Sequence, residues 1–307
     1  MDLQALRTFL VLANVGSFSQ TAERLYLTQP AVSKRIAALE QALGVRLFDR
    51  IARRVQLTEA GKILHKRSQN ILKEVDDCKM EITNLSGKIS GQLTIATSHH
   101  IGLHHLPKIL RKYTQLYKQV DVELNFMDSE QAYQLVANGQ TELGIVTLPA
   151  GAINNIQATP LWEDKLEIVF CQTHPLMKMM ETEKLNNIRN HQALMSILQE
   201  HPVILPNVGT TTRDLIEQWF VKINLTPIKV MSTNYLETIK MLVSVGLGWS
   251  ILPKSMLTNE LYSISDENYG LSRVLGVVQH DSRTLSNASK ALLSLLSDNN
   301  QTNTLNY

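Results

Sequence analysis

Ser17-Phe18-Ser19-Gln20-Thr21-Ala22-Glu23-Arg24-Leu25-Tyr26-Leu27-Thr28-Gln29-Pro30-Ala31-Val32-Ser33-Lys34-Arg35-Ile36 holds two helix starts in close succession. Ser17 to Gln20 is a Ser-x-x-Gln capping box, in which hydroxyl and side-chain amide each satisfy an orphan backbone amide. A short helix is predicted through Ala22 and Leu25. Thr28 is placed to cap the next helix, with Pro30 in its first turn, where the missing N–H costs nothing. That second helix sets Val32, Ile36, Leu39 and Leu43 on one face and Pro30, Ser33, Lys34 and Ala37 on the other. An apolar back with a small, cationic front suits a helix laid in the DNA major groove.

An ordinary amphipathic helix pair would explain that much, but not residues 44–57. Gly44 breaks the helix, Val45 to Arg50 alternates with strand period, Ile51-Ala52-Arg53-Arg54 makes a cationic turn, and Val55-Gln56-Leu57 alternates again. The pattern is a helix-turn-helix followed by a two-stranded wing whose tip suits phosphates or a narrow minor groove. Candidate DNA contacts are Ser17, Ser19, Gln29, Pro30, Ser33, Lys34, Arg35, Arg50, Arg53 and Arg54. Ahead of the motif, Leu3, Leu6, Leu10 and Ala13, with Phe9 beside them, form the stripe of a supporting helix.

Charge agrees. Residues 1–67 hold eleven Lys/Arg against five Asp/Glu, a net +6, which leaves −4 for the rest of a 307-residue chain whose total is +2. A basic head on an acidic body is the balance expected of a polyanion binder with a sensing module. The two cysteines, Cys78 and Cys171, imply no disulfide framework. The N-terminus is no signal peptide and no apolar run reaches membrane-spanning length, so a soluble, cytoplasmic protein is expected, with no membrane partner.

Thr58 then caps a long helix. Leu57, Leu64, Ile71, Cys78 and Leu85 recur every seven residues, with Val75 and Ile82 between them and breaks at Gly61 and Ser68. A heptad seam of this kind predicts pairing of two copies through Leu64, Ile71, Val75, Cys78, Ile82 and Leu85, and a two-fold dimer matches a two-fold operator. A long helix lying on its own domain is the plainer alternative. Ser86 to Gly91 reads as a hinge. From Gln92, strands and helices alternate in two series, predicting parallel, doubly wound sheets. The expected organisation is a DNA-binding domain over 1–58, a linker helix and hinge over 59–90, and an α/β domain over 91–298. Its first lobe covers about 91–162 and 270–298, its second about 163–269, and a polar tail spans 299–307. Met177–Glu200 is long for a connection and reads as partly helical.

Phe18-Ser19-Gln20-Thr21-Ala22-Glu23-Arg24-Leu25, Thr28-Gln29-Pro30-Ala31-Val32-Ser33, Leu39-Glu40, Leu43 to Arg50 and Leu57-Thr58-Glu59-Ala60-Gly61 together resemble the LysR-type transcriptional regulators. The resemblance continues more weakly to about residue 296. Lys34-Arg35 departs from the pattern, where Arg more often comes first; Arg forks onto guanine while Lys is a point charge. The resemblance implies a two-lobed, periplasmic-binding-protein-like effector domain and a dimer-of-dimers tetramer. It also implies double-stranded operator DNA and a small-molecule effector as partners, with RNA polymerase as a further candidate.

In open α/β lobes ligands bind at the carboxyl ends of strands and at helix N-termini. Three segments meet that description: Thr97 to His100, Thr147 to Pro149, and Asn207 to Thr212. Ser98, His100, Thr147 and Thr210 are the leading effector contacts, joined by His99, Leu148, Asn207, Gly209 and Thr211. Helix capping is the plainer use of such hydroxyls. With no Asp or Glu in those loops, a small anionic effector is expected. His99, His100, His104 and His105 invite a metal reading, His100 and His104 by their spacing of four. No Cys, Asp or Glu lies near in sequence, so neither metal nor cofactor is expected. An enzyme with a fused head is the competing class, but no Gly-x-Ser-x-Gly, phosphate loop or His-Glu-x-x-His is present. A purely architectural protein leaves the α/β half unexplained.

Overall fold

The structure, a computed structural model, describes residues 1–51, 54–178, 191–264 and 270–303. It divides into two compact units, Met1–Ser86 and Gly87–Tyr307. The first contains α1 (Leu3–Val15), α2 (Phe18–Arg24), α3 (Gln29–Leu43), β1 (Phe48–Ile51), β2 (Arg54–Leu57) and α4 (Glu59–Asn84). Three predicted hydroxyl caps form, although among the described residues the Gln20 side chain makes no return bond to the Ser17 amide. Ser17 accepts from the Gln20 amide, Thr28 from the Ala31 amide and Thr58 from the Gly61 amide. Gly44 closes α3 at φ 70°, a left-handed conformation that favours glycine.

Two details of this unit differ from expectation. The buried side of α1 is Ala5, Leu6, Thr8, Phe9 and Leu12, while Leu3 is exposed. The helix is apolar over more than one face, and contact with α2, α3 and α4 decides which is covered. Leu43 is also exposed, and the wing begins at Phe48 rather than Val45. The cause is Glu40. Its Oε1 accepts from the Leu47 and Phe48 amides, at 2.7 and 3.3 Å, and so pins the chain to α3 before the strand starts.

The heptad breaks along α4 acquire a reason. Gly61 leaves no room for a side chain: a Cβ there would lie 2.2 Å from the Leu47 carbonyl oxygen. Ser68 is fully buried, and Leu64 and Leu72 pack on the core built from Phe9, Leu12, Val32, Ile36 and Leu39. Arg7 ties α1 to α4 through Asp76 at 3.2 Å. The first half of the seam is therefore spent on the chain's own head. Beyond it, Ile71, Cys78, Ile82 and Leu85 are exposed and Val75 is half-buried.

The second unit opens with β3 (Gly91–Thr97), α5 (His99–His104), α6 (Pro107–Leu116), β4 (Val120–Phe126), α7 (Ser129–Ala137), β5 (Leu143–Thr147) and β6 (Ile156–Phe170). It continues with α8 (His191–Glu200), β7 (Val203–Leu205), α9 (Thr211–Lys222), β8 (Val230–Ser232), α10 (Leu236–Ser244), β9 (Ser250–Pro253), β10 (Tyr262–Ile264), β11 (Ser272–His280) and α11 (Asn287–Asn303). β3 runs parallel to β4 and β5, as a wound α/β series requires. The sheet as a whole is mixed, not parallel. β11 returns from the far end of the unit and lies antiparallel between β5 and β6. Residues 166–170, the start of the second lobe's core, are the end of the fifteen-residue β6. That strand pairs with β11 in its first half and with β9 and β10 in its second, so β6 runs through both lobes.

Each lobe has helices on both faces of its sheet. In the first, Leu93, Ile95, Ile145 and Val277 meet Ile109, Tyr113 and Leu292, while Ala132, Tyr133 and Val136 cover Val146 and Val278. In the second, Phe170, Leu205 and Ile251 meet Ile216 and Trp219, while Ile239 and Val243 cover Val169, Ile204 and Leu252. Helix α8 and the helical residues 175–178 belong to or border the long segment before β7; residues 179–190 lie outside the described residues. Helix α11 runs on to Asn303, into the polar tail.

Candidate functional site

Two sites emerge, one in each unit. In the head, α3 presents exposed Gln29, Pro30 and Lys34, with Ser33 half-buried beside them. Gln29 Nε2 donates to Ser33 Oγ at 3.1 Å, so these two are pre-ordered as a pair. Ser19 is exposed on α2, while the Ser17 hydroxyl is occupied in its cap. Arg35 points back into the head: its Nη1 donates to Thr8 Oγ1 of α1 at 3.4 Å. Arg53 lies outside the described residues, and Arg50 and Arg54 are placed only by their strand register, opposite Val55 and Ile51.

One residue of the head carries no mark in the motif, Tyr26. It is 97% exposed in the turn between α2 and α3 and sits at φ 53°. A bulky residue in the left-handed region is strained, and a fully exposed aromatic gains nothing from packing. The visible signal is a tyrosine standing in a turn where Gly or Asn is the ordinary choice.

The second site is a cavity of about 70 Å³ between the two lobes, open to solvent at its mouth. Ser98, His99, His100 and Thr147 line it from the first lobe, Thr210, Thr211 and Thr212 from the second. Six of the nine expected effector residues therefore share one wall. Leu148, Asn207 and Gly209 do not. Leu148 packs into the core with Val146 and Val278, and the Asn207 carbonyl accepts the Thr210 hydroxyl at 2.9 Å. Thr210 also caps α9, so its hydroxyl serves the helix first. Ser98 stands at the N-cap of α5 with no side-chain capping bond, which leaves its hydroxyl to face the cavity.

Residues missed by sequence reasoning change the electrostatics. Asp128, Ser129 and Glu130, at the start of α7, line the same cavity, as do Asn234 and Tyr235. Glu130 Oε1 accepts from both the Thr211 amide and the Thr211 hydroxyl, at 2.7 Å each. A first-lobe carboxylate thus caps a second-lobe helix. Asp128 accepts from Asn234 Nδ2 at 2.8 Å, and His104 meets Glu237 at 2.9 Å, so further side-chain pairs bridge the lobes. Burial raises the Asp128 pKa, and the Glu130 charge raises it further against the opposing pull of His99. The His99 ring stacks on Phe126 and meets the edge of Tyr235.

Beneath the cavity lies a buried charged cluster. Arg273 on β11 holds Asp164 on β6 through Nε at 2.9 Å and Nη2 at 2.8 Å, and its Nη1 donates to Thr212 Oγ1 at 2.9 Å. His100 Nε2 lies 3.3 Å from the same Asp164 oxygen. Burial alone would raise the Asp164 pKa, but the His100 contact and the Arg273 guanidinium outweigh it and hold the carboxyl below its ordinary value. Burial lowers His100, partly opposed by Asp164. His105 is lowered to about 4, by burial first. The expected absence of any acid near the histidines therefore fails in three dimensions, because β6 brings Asp164 to His100.

A family model described as "LysR substrate binding domain" matches residues 86–301, and one described as "Bacterial regulatory helix-turn-helix protein, lysR family" matches residues 3–62. Over 107 residues, 35% of this chain and 74% of the relative, the chain is 61% identical to an uncharacterized HTH-type transcriptional regulator in the ibpB-leuC intergenic region of Azotobacter vinelandii. It is 30% identical over 301 residues to a probable RuBisCO transcriptional regulator of Synechocystis sp., covering 95% of this chain and 84% of that one. Among solved structures, a full-length OxyR variant from Pseudomonas aeruginosa superposes with a TM-score of 0.68 at 20% identity, covering 98% of this chain and 95% of that chain. That likeness speaks for the fold alone.

Proposed function

The chain belongs to the LysR family of bacterial helix-turn-helix transcription regulators, and on that premise we propose how its effector domain controls its DNA-binding head. It is a DNA-binding regulator with a small-molecule effector domain. The finer reading is that an effector in the interlobe cavity replaces the chain's own cross-lobe bonds and resets the angle between lobes. One observation carries this: Ser98 and Thr147 on one lobe and Thr211 on the other line a single cavity that Glu130 already bridges. Only a ligand that binds one lobe arrangement better than the other can shift their populations.

The effector class follows from the same wall. The amide and hydroxyl of Thr211 already donate to a carboxylate, which favours an anionic group there. Asp128 and Glu130 require the same molecule to carry a donor as well. The best fit is a small carboxylate bearing a hydroxyl or ammonium group, bound and not transformed. In the cytoplasm it would act on a dimer paired through Ile71, Val75, Cys78, Ile82 and Leu85, the exposed continuation of the α4 seam. On DNA, Gln29, Ser33 and Lys34 are assigned to base edges and the wing arginines to phosphates.

Calorimetric titration with matched compounds tests the effector class: hydroxy or amino acids against the same acids lacking the donor. The donor-bearing acids should bind tenfold or more tightly. Ser98→Ala should blunt that binding while leaving operator affinity unchanged. Binding confined to molecules with no anionic group would reject the proposal.

A further inference from the structure

The cluster beneath the cavity has chemistry that effector binding does not use. His100 is 4% exposed, and neither of its ring nitrogens has a hydrogen-bond partner among the described residues. Its 3.3 Å approach to Asp164 lacks hydrogen-bond alignment. The buried Nε2 of His105 is likewise without a partner. Leaving buried polar nitrogens unpaired is costly, so their convergence on one carboxylate asks for an occupant.

We propose that His100, His105 and Asp164 bind one divalent first-row transition-metal ion. One ligand atom from each lies within 4.8 Å of the others, a spread that small side-chain rotations can close around an ion. Two imidazoles and a carboxylate suit the metals from iron to zinc and not the all-oxygen preference of Mg²⁺ or Ca²⁺. Arg273 supplies a second layer. Through Nε and Nη2 it grips one Asp164 oxygen and orients the carboxylate, as outer partners of metal ligands do. Its positive charge is outnumbered locally, since Asp128 and Glu130 line the cavity into which His100 faces.

The fold explains why the ligands stand at these positions. His100 is in the first turn of α5 and His105 is the residue that caps its end. His104, which spacing would pair with His100, turns instead to Glu237. Asp164 arrives on β6, the strand common to both lobes. Because His100 belongs both to the cluster and to the cavity wall, metal occupancy would stiffen the floor on which an effector sits.

The test is titration of untagged, chelator-treated full-length protein with Zn²⁺, and separately with Co²⁺ read by its visible absorption bands, with no effector or DNA present. The expected result is one ion per chain, affinity weakened at least tenfold by His105→Asn, and no change with His104→Asn. Mg²⁺ should not compete. Asp164→Asn should also weaken binding, but because Asp164 is buried against Arg273 the half-buried His105 variant, checked for folding by circular dichroism, is decisive. Absence of stoichiometric uptake overturns the proposal. So does uptake that His105→Asn leaves intact, as adventitious binding at the His174 and His201 rings, which lie edge to face with each other, would give. Either failure leaves the effector proposal standing, because neither effector nor DNA enters the measurement.

Discussion

Replacing Glu130 by alanine should open the effector domain. In the intact protein one carboxylate oxygen takes two 2.7 Å hydrogen bonds from Thr211, across the cleft. Hydrogen bonds to a charged group contribute roughly 1.5–3 kcal/mol each. Ordering the glutamate side chain offsets up to ~2 kcal/mol of that, and its half-buried position screens the charge in part. The net preference for closure is then about 2–3 kcal/mol, or on the order of 30- to 160-fold in the closed-to-open ratio. Glu130→Gln keeps the shape but loses the charge, so it should lose roughly half of this. Spin labels at exposed Lys112 and Lys222, one on each lobe, in a background lacking Cys78 and Cys171, report the separation directly. The effector-free variant should show a second, longer distance, and a saturating effector should collapse the distribution to a single distance. An unchanged distance distribution in Glu130→Ala would refute the idea that this contact holds the lobes together.

Other perturbations test other links. Gly61→Ala drives a Cβ toward a backbone oxygen that cannot step aside, and should cost about 3 kcal/mol of head stability, seen as an early phase in thermal circular dichroism. Tyr26→Asn should relieve the left-handed strain and stabilise the head by up to ~1 kcal/mol, yet weaken operator binding in fluorescence anisotropy. Equal losses of stability and affinity would mean the ring is merely structural. His174 has its pKa lowered to about 4 by burial and by the charge of His201. The unfolded chain therefore takes up a proton near pH 6.5 before the folded one does, so this contribution to stability is complete above pH 6.5 and is lost as pH falls toward 4. For one such histidine the loss is about 2 kcal/mol at pH 5, and His174→Asn should flatten it. The three tryptophans, Trp162, Trp219 and Trp249, all belong to the effector unit and report its unfolding without interference from the head.

Local signals in the chain were legible because their causes are local. Ser17, Thr28, Thr58 and Gly44 cap helices through residues three or four away, and all four do what their spacing predicts. The heptad along α4 was legible as a pattern, but not its division of labour. The approach of Leu47 to Gly61, the burial of Ser68 and the packing of Leu64 and Leu72 show which part faces the head. The cavity was half legible. Ser98, Thr147 and Thr211 sit at strand ends or helix starts, where α/β lobes gather ligands; Asp128 and Glu130 stand at the same kind of place, between β4 and α7, whereas mid-strand Asp164 carries no such mark. Glu130 opens α7 like any acidic first-turn residue, and only the closed lobes turn it toward α9. Asp164 stands in the middle of a strand whose length the sequence concealed, and its meeting with His100 is made by the sheet. Strand direction was misjudged for the same reason: β11 returns from the far end of the domain, and no local residue announces that it will run antiparallel.

The central claim is that α3 reads base edges while an occupied cavity changes how the head engages DNA. Full-length protein should be titrated by anisotropy against a duplex from its own upstream promoter and against a scrambled duplex, across a salt series, for the wild type and Lys34→Ala. Preference for the promoter, a steep fall of affinity with salt, and loss of roughly 1–3 kcal/mol of that preference in the variant are predicted. Equal affinity for both duplexes at every salt concentration would contradict it.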